Sequence, residues 1–386
     1  MVRPTFAQID LDILKTNYQS VLRLVSQPVS KSDLRTSVIA VVKANAYGHG
    51  AVAVARALEE AGASMLACAD IEEGVQLREA GINVPILVFG ALNVSDLNGI
   101  VEHGLTPTVS SPSAARALQV MAEKKRSLIN CHLKIDTGMN RFGLRYDNLR
   151  KTLPEVVVNK NLIFDSIYTH FATADDFNLP LFEKQQKRFL NAQKVLSEFS
   201  LRRLFCHAAN SAALLRDRRC WLNAVRPGLL LYGIVPPSLK VPTDFKVRPV
   251  MTLHSKIVTV KGVRAGETVG YGGKFSASKP TRIAVVPAGY ADGLDVRLSG
   301  TGYVLVRGRR VPIVGSICMD SIMIDVTDVH VETGDDVVLI GEQGDDCIDV
   351  IQMSKWLGTV PHEILCRTGS RIGRLYKDSG TNSEQS

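Results

Sequence analysis

The sequence predicts an eight-stranded β/α barrel followed by a C-terminal, mainly-β domain. Between residues 38 and 233, eight short apolar or β-branched runs alternate with amphipathic stretches, the rhythm of a parallel barrel. After about residue 240 the pattern changes to strands joined by glycine turns, as in a compact β domain. A chain of 386 residues, 45% apolar and 22% charged, has material for both cores and is neither disordered, collagen-like nor a coiled coil.

Taken in order, TFAQIDLD (5–12) reads as a strand before a helix and is a candidate to join the C-terminal sheet, although the barrel domain is drawn as 1–240 and the β domain as 241–386. QPVSKSDLRTS (27–37) reads as a surface loop. The barrel strands are VIAVVKA (38–44), SMLACA (64–69), PILVFG (85–90), LTPTVS (105–110), NCHLKID (130–136), FDSIYTH (164–170), LFCHAAN (204–210) and AVRPGLLLYG (224–233). Intervening stretches such as GAVAVARALEEAG and IEEGVQLREAG carry apolar residues at helical spacing and end in Gly, the expected C-cap. A doubly wound open sheet is the competitor; its Gly-rich G-x-G-x-x-G turn after the first strand is missing. Pro236, Pro237 and Pro242 mark the break. TLHSKIVTV, TRIAVVPAG, GYVLVRG, SIMIDVTDV and DDVVLIG then read as strands, DVIQMSKWLG as a helix, and KDSGTNSEQS as a disordered tail.

Composition narrows the function. The formal charge is +8, but basic residues are scattered among acidic ones, so no nucleic-acid surface is expected. Seven cysteines at wide spacings, without a C-x-x-C pair, suit reduced thiols in a cytoplasmic protein. No His/Cys/Asp set has metal-site spacing, so no metal is assigned. No run reaches a membrane-spanning length, and MVRPTFAQID lacks the apolar core of a secretory signal.

Barrel active sites lie at the C-terminal strand ends. Read there, the first strand closes on Lys43, the fifth carries His132, Lys134 and Asp136 on one face, the sixth ends at His170, the seventh leads into Asn210 and Ser211, and the eighth holds Arg226. A lysine with a partly desolvated stem can act as a Schiff-base nucleophile or proton shuttle; the position equally suits a lysine reaching into solvent. His132 and His207 read as packed strand residues. Ser211 with His207 forms no hydrolase triad, since the G-x-S-x-G elbow is absent.

VVKANAYGHG (41–50) resembles the segment around the cofactor lysine of the alanine racemases, which use pyridoxal 5'-phosphate (PLP) on a β/α barrel. HLKIDTGMNRFG (132–143), YTHFATAD (168–175), HAANSAA (207–213), VRPGLLLYG (225–233), GYADG (289–293) and GSICMD (315–320) resemble the same family in order and spacing. The resemblance implies an isomerase interconverting L- and D-alanine by a two-base mechanism and supplying D-alanine for peptidoglycan in the cytoplasm. It implies that Lys43 holds PLP and acts as one base, and that Tyr290, from the other subunit of a homodimer with shared active sites, is the opposite base. It also implies a phosphate-binding set of Tyr47, Ser211 and the backbone at Gly228, with Arg226 facing the pyridine nitrogen. Arg141 and Met319 are implied as substrate contacts and His170 as a supporting histidine. Lys134 matches a lysine often carbamylated and bonded to Arg141. His362 stands where the family usually has a tyrosine near the phosphate and the substrate methyl group. Its smaller ring implies a roomier pocket, hence the alternative of a broader serine/alanine racemase. A non-catalytic PLP carrier is the remaining reading, and retention of Tyr290 speaks against it.

Overall fold

The computed structural model describes residues 3–26, 36–90, 92 and 96–379. Residues 27–35 of the expected surface loop and 380–386 of the expected tail lie outside the described residues. Two compact units emerge, one of residues 14–46 and 51–248, the other of residues 1–13, 47–50 and 249–386.

The first unit is the barrel. Its strands are Ser37–Val41, Met65–Cys68, Ile86–Val88, Thr106–Val109, Ile129–Asp136, Leu162–Tyr168, Phe205–Asn210 and Ala224–Arg226. Each pairs in parallel with the next, and Ala224 opposite Ser37 closes the ring. The sheet is therefore closed rather than doubly wound. Strands buried on both faces need near-continuous apolar runs, and Ile39, Ala40, Leu66, Ile86 and Leu87 are almost fully buried. Most of the strands are shorter than the sequence suggests, two of them for plain physical reasons. The eighth stops at Arg226 because Pro227 has no N–H to donate to a ladder, and the chain then folds into tight turns, with Leu231 N donating to Gly228 O at 2.9 Å. The first stops at Val41, since the residues after Lys43 turn left-handed.

Helices between the strands are capped as the sequence leads one to expect. Asp70 accepts from Glu73 N at the start of Ile71–Glu79, and Ser111 accepts from Ala114 N at the start of Pro112–Lys125, each supplying an acceptor to an otherwise unpaired first-turn amide.

The second unit is built on a sheet of ten strands. The N-terminal strand Phe6–Asp10 pairs antiparallel with Met251–Lys256 and parallel with Gly373–Lys377. TLHSKIVTV, read as one strand, is split between Met251–Lys256 and Thr259–Val263. Residues 241–248 cluster with the barrel rather than with the β unit. The Asn17 side chain bonds both backbone groups of Arg248, at 2.8 and 2.9 Å. Among the described residues no helix is long and apolar enough to cross a membrane, and no cysteine forms a disulfide.

Candidate active site

Ionisable side chains gather at the C-terminal ends of the barrel strands. Lys134 is 5% exposed, and burial together with Arg141 and Arg226 pulls its ammonium down to about 7, with Lys43 adding to the effect. The same four cations act on His170, whose imidazole burial holds well below the usual histidine range. Lys43, Lys134, Arg141, His170 and Arg226 thus form one electrostatic cluster. Asp136, whose carboxylate opposes the shift of Lys134, is turned to the amides of Gly138 and Asn140 at 2.9 and 3.1 Å. The Lys134 ammonium also lies over the Phe142 and Tyr168 rings, at 5.5 and 5.4 Å from their centroids, where a cation is attracted to the ring face.

Arg226 is buried and held by neutral acceptors. Nη2 donates to Thr169 O at 2.6 Å and Ala208 O at 3.0 Å, and Nη1 to His207 Nδ1 at 2.9 Å. Burial lowers its guanidinium to about 10, still charged at neutral pH. Because a guanidinium only donates, His207 Nδ1 must be the unprotonated nitrogen. His207 Nε2–H then donates to His132 Nδ1, 2.9 Å away. Burial keeps both imidazoles neutral: His132 falls to about 4 and His207 well below its usual range. Both are packed, as the sequence suggests, and they also orient Arg226. Tyr168, stacked on His207 at 4.8 Å and bonded to Thr108 Oγ1 at 2.9 Å, completes this layer. Sequence reasoning missed Tyr168, although it ends the strand that leads to His170, two residues on.

Ser211 opens the helix Ser211–Arg216. Its buried hydroxyl oxygen accepts from the amides of Gly228 at 3.0 Å and Leu230 at 3.4 Å. The hydroxyl proton is left to donate outward.

Lys43 is followed by one turn of left-handed helix. Ala44, Asn45, Ala46 and Tyr47 have φ of +54, +51, +54 and +53°. Each such non-glycine residue costs roughly 1–2 kcal/mol, so the turn must be imposed by its surroundings. Ala46 N bonds Val42 O at 2.8 Å, Asn45 Oδ1 accepts from Ala51 N at 2.7 Å, and Glu73 Oε1 accepts from Ala44 N at 2.6 Å. Nothing in the local sequence signals this turn, because no glycine occupies its first four positions.

In the second unit, Tyr47 lies edge-on to His362, with ring centroids 6.5 Å apart. Burial and the Cys366 thiol raise the Tyr47 phenol well above its usual range, so it is a donor at all working pH values. Gly48 is confined: a Cβ there would lie 2.1 Å from Leu365 O. The GYADG turn is stitched to the SICMD segment, with Tyr290 N donating to Cys318 O at 3.0 Å and Ala291 N to Met319 O at 3.1 Å. Tyr290 and Met319 are both about half exposed. Behind the turn, Asp292 is buried, bonded to Gly289 N at 2.9 Å and to Arg3 at 2.5 and 2.7 Å. Neither Arg3 nor Asp292 stands out in the sequence, since the ion pair joins residues at opposite ends of the chain.

Family models for the alanine racemase N-terminal and C-terminal domains match residues 9–236 and 250–376. The chain belongs to the alanine racemase family. An alanine racemase of Carboxydothermus hydrogenoformans is 40% identical over 377 residues, covering 97% of this chain and 100% of its own. Alanine racemase 1 of Bacillus subtilis is 38% identical over 99% of this chain and 95% of its own. Among solved structures, the Bacillus anthracis alanine racemase with bound L-Ala-P superposes with a TM-score of 0.90 at 36% identity, covering 99% of this chain and 97% of that one. The Bartonella henselae enzyme with covalently bound pyridoxal phosphate gives 0.84 at 32% identity, covering 97% and 99%.

The barrel donor set fits PLP. A buried hydroxyl beside two amides, at the start of a short helix, suits a phosphate, and a buried arginine held only by neutral groups suits a ring nitrogen that must accept. Lys43, just beyond the end of the first barrel strand, offers an amine. Tyr47, Tyr290, Met319 and His362 all fall in the second unit, and the other expected site residues in the barrel. Among the described residues no group of three His, Cys, Asp or Glu could hold a metal ion.

Proposed function

We propose that this protein is a PLP-dependent racemase interconverting L- and D-alanine, acting as a cytoplasmic homodimer with shared active sites and supplying D-alanine for peptidoglycan. The observation that carries the proposal is the cationic cluster of Lys43, Lys134, Arg141, His170 and Arg226 at the strand ends, in a chain that the family matches along nearly its whole length.

Bound PLP supplies the electron sink that makes an amino acid's α-proton acidic. The chain does the rest. Ser211, with the backbone near Gly228 and the Tyr47 phenol, would hold the phosphate. Arg226 would offer the ring nitrogen a hydrogen bond but not a proton, leaving the ring a weaker electron sink and disfavouring side reactions. Lys43 Nζ takes or returns the α-proton on one face, and Tyr290 Oη, from a second copy of the chain, does so on the other. Two bases on opposite faces invert the stereocentre without a base having to move. The charges of Arg141 and Arg226 attract the substrate carboxylate. Lys134, part neutral near pH 7, is suited to add carbon dioxide with loss of a proton, and the resulting carbamate would anchor Arg141.

Chirality-resolved turnover of each alanine enantiomer by the PLP-loaded protein tests the proposal. Both directions should proceed, and Lys43→Ala should abolish both and the visible band of lysine-bound PLP. A wild-type protein that binds PLP yet converts neither enantiomer would overturn it. His362 favours a second reading, in which serine is also accepted, because its ring is shorter than a tyrosine's at that position.

A further inference from the structure

We infer that Glu73 is a positioning residue for Lys43: its carboxylate clamps the left-handed turn that begins immediately after the lysine. The two oxygens are divided between two backbone segments. Oε1 accepts from Ala44 N at 2.6 Å, with Asn45 N further off at 3.4 Å, while Oε2 accepts from Ala69 N at 2.8 Å. Ala44 is the residue next to Lys43, and Ala69 follows the adjacent barrel strand Met65–Cys68. One side chain therefore ties the ends of two neighbouring strands together, at the point where the first must leave the barrel in an unfavoured conformation.

The need for such a clamp follows from the turn itself. In a left-handed turn the first amides have no carbonyl behind them, just as at the start of a right-handed helix. Ala46 finds Val42 O, but Ala44 and Asn45 point away from the barrel strand and are exposed. A carboxylate accepts such amides more strongly than a neutral group would. Without it, the alanine and the asparagine would relax toward the favoured right-handed or extended regions, and the Lys43 Cα would swing with them.

Glu73 sits on a rigid support. It lies in the first turn of the helix Ile71–Glu79, whose N-cap Asp70 accepts from Glu73 N at 2.9 Å. Gly74 lets that helix approach closely, since a Cβ there would come 2.8 Å from Leu105 Cδ1. The carboxylate is thus aimed from an element that cannot follow the turn if the turn moves. A site residue held in this way keeps its geometry before the cofactor arrives.

The inference rests on Lys43 being the PLP lysine, so the test includes a measurement that does not involve PLP. Glu73→Gln keeps the shape of the side chain but replaces one acceptor with a donor, which cannot serve both Ala44 N–H and Ala69 N–H. Amide hydrogen exchange on the full-length, PLP-free protein should show the Ala44 and Asn45 amides exchanging at least about tenfold faster in Glu73→Gln. Amides of the strand Ile129–Asp136 should be unchanged. Rapid mixing with PLP should show attachment to the lysine slowed by a similar factor. Adding Ala44→Gly, which permits a positive φ without penalty, should recover part of that loss, a rescue that a general weakening of the fold would not show. Glu72→Gln, next door and exposed, serves as the control for loss of charge. Unchanged exchange at Ala44 and Asn45 overturns the clamp, and faster exchange with wild-type PLP attachment overturns the positioning role. Wild-type PLP attachment at a residue other than Lys43 overturns the racemase reading, while the exchange result still decides the clamp.

Discussion

Lys134 illustrates how much of this site is electrostatics that residue identity alone does not express. Its ordinary value is 10.5, and burial beside Arg141 and Arg226 brings it to about 7. Below about pH 7 both the folded and unfolded chains carry the proton. Between about 7 and 10.5 the unfolded chain binds it and the folded chain does not, so this group makes stability rise with pH across that window. Lys134→Met, similar in length and uncharged, should be more stable than wild type at about pH 6, by a few kcal/mol at most, and melt at a higher temperature. The advantage should shrink as pH approaches 10; thermal unfolding in bicarbonate-free buffer at the two pH values checks it. His362 carries the other residue-scale prediction. Restoring tyrosine should lower the ratio of serine to alanine kcat/KM by about tenfold, the scale on which one small group in an apolar pocket discriminates. An unchanged ratio would remove His362 from the specificity argument. Lys43, His170, Ser211 and Arg226 were legible because polar residues at strand ends interrupt apolar runs. The second layer of Tyr168, His207 and His132 was not, because aromatic and histidine residues inside a strand look like packing until their ring nitrogens are seen to meet.

At the scale of elements, the barrel strands were legible from local periodicity, and their ends were not. Pro227, which has no N–H to donate, is the sequence signal that the eighth strand ends at Arg226. The strand Arg309–Val314 escaped notice altogether, since Arg307 and Gly308 form a tight turn with φ of +49 and +74° and the arginine hides the turn signal. The GYADG segment offers a prediction of the same kind. Gly289 has an ordinary φ of −136°, so its glycine is required by space and not by conformation. A Cβ there would lie 2.2 Å from Met319 O and 2.4 Å from Cys318 O, the carbonyls of the segment on which the Tyr290 turn is hung. Gly289→Ala should destabilise the fold by about 1–3 kcal/mol and cost activity well beyond that, because Tyr290 is displaced. Gly262→Ala, where a Cβ meets nothing within 4 Å, should stay within about 0.5 kcal/mol of wild type. Urea unfolding and initial rates on the two variants separate the effects.

Over the whole chain, sequence order conceals the most distant pairings. The strand Phe6–Asp10 sits between Met251–Lys256 and Gly373–Lys377, and Arg3 buttresses a turn 289 residues away. Local patterns mark the N-terminal segment as a strand and a candidate for the C-terminal sheet but not its two neighbours, because register is set by partners that the pattern does not contain. The same separation bears on the proposed assembly. If each site takes Lys43 from one copy and Tyr290 from another, then Lys43→Ala and Tyr290→Phe are each inactive as homodimers for different reasons. A mixed dimer holds one site with both substitutions and one with neither. Unfolding and refolding an equimolar mixture assorts the chains at random, so half the dimers are mixed and each has one intact site. Activity should recover to about one quarter of the wild-type value. Sites formed within a single copy would give no recovery at any mixing ratio, because every lysine-bearing chain in the mixture would then face only its own phenylalanine.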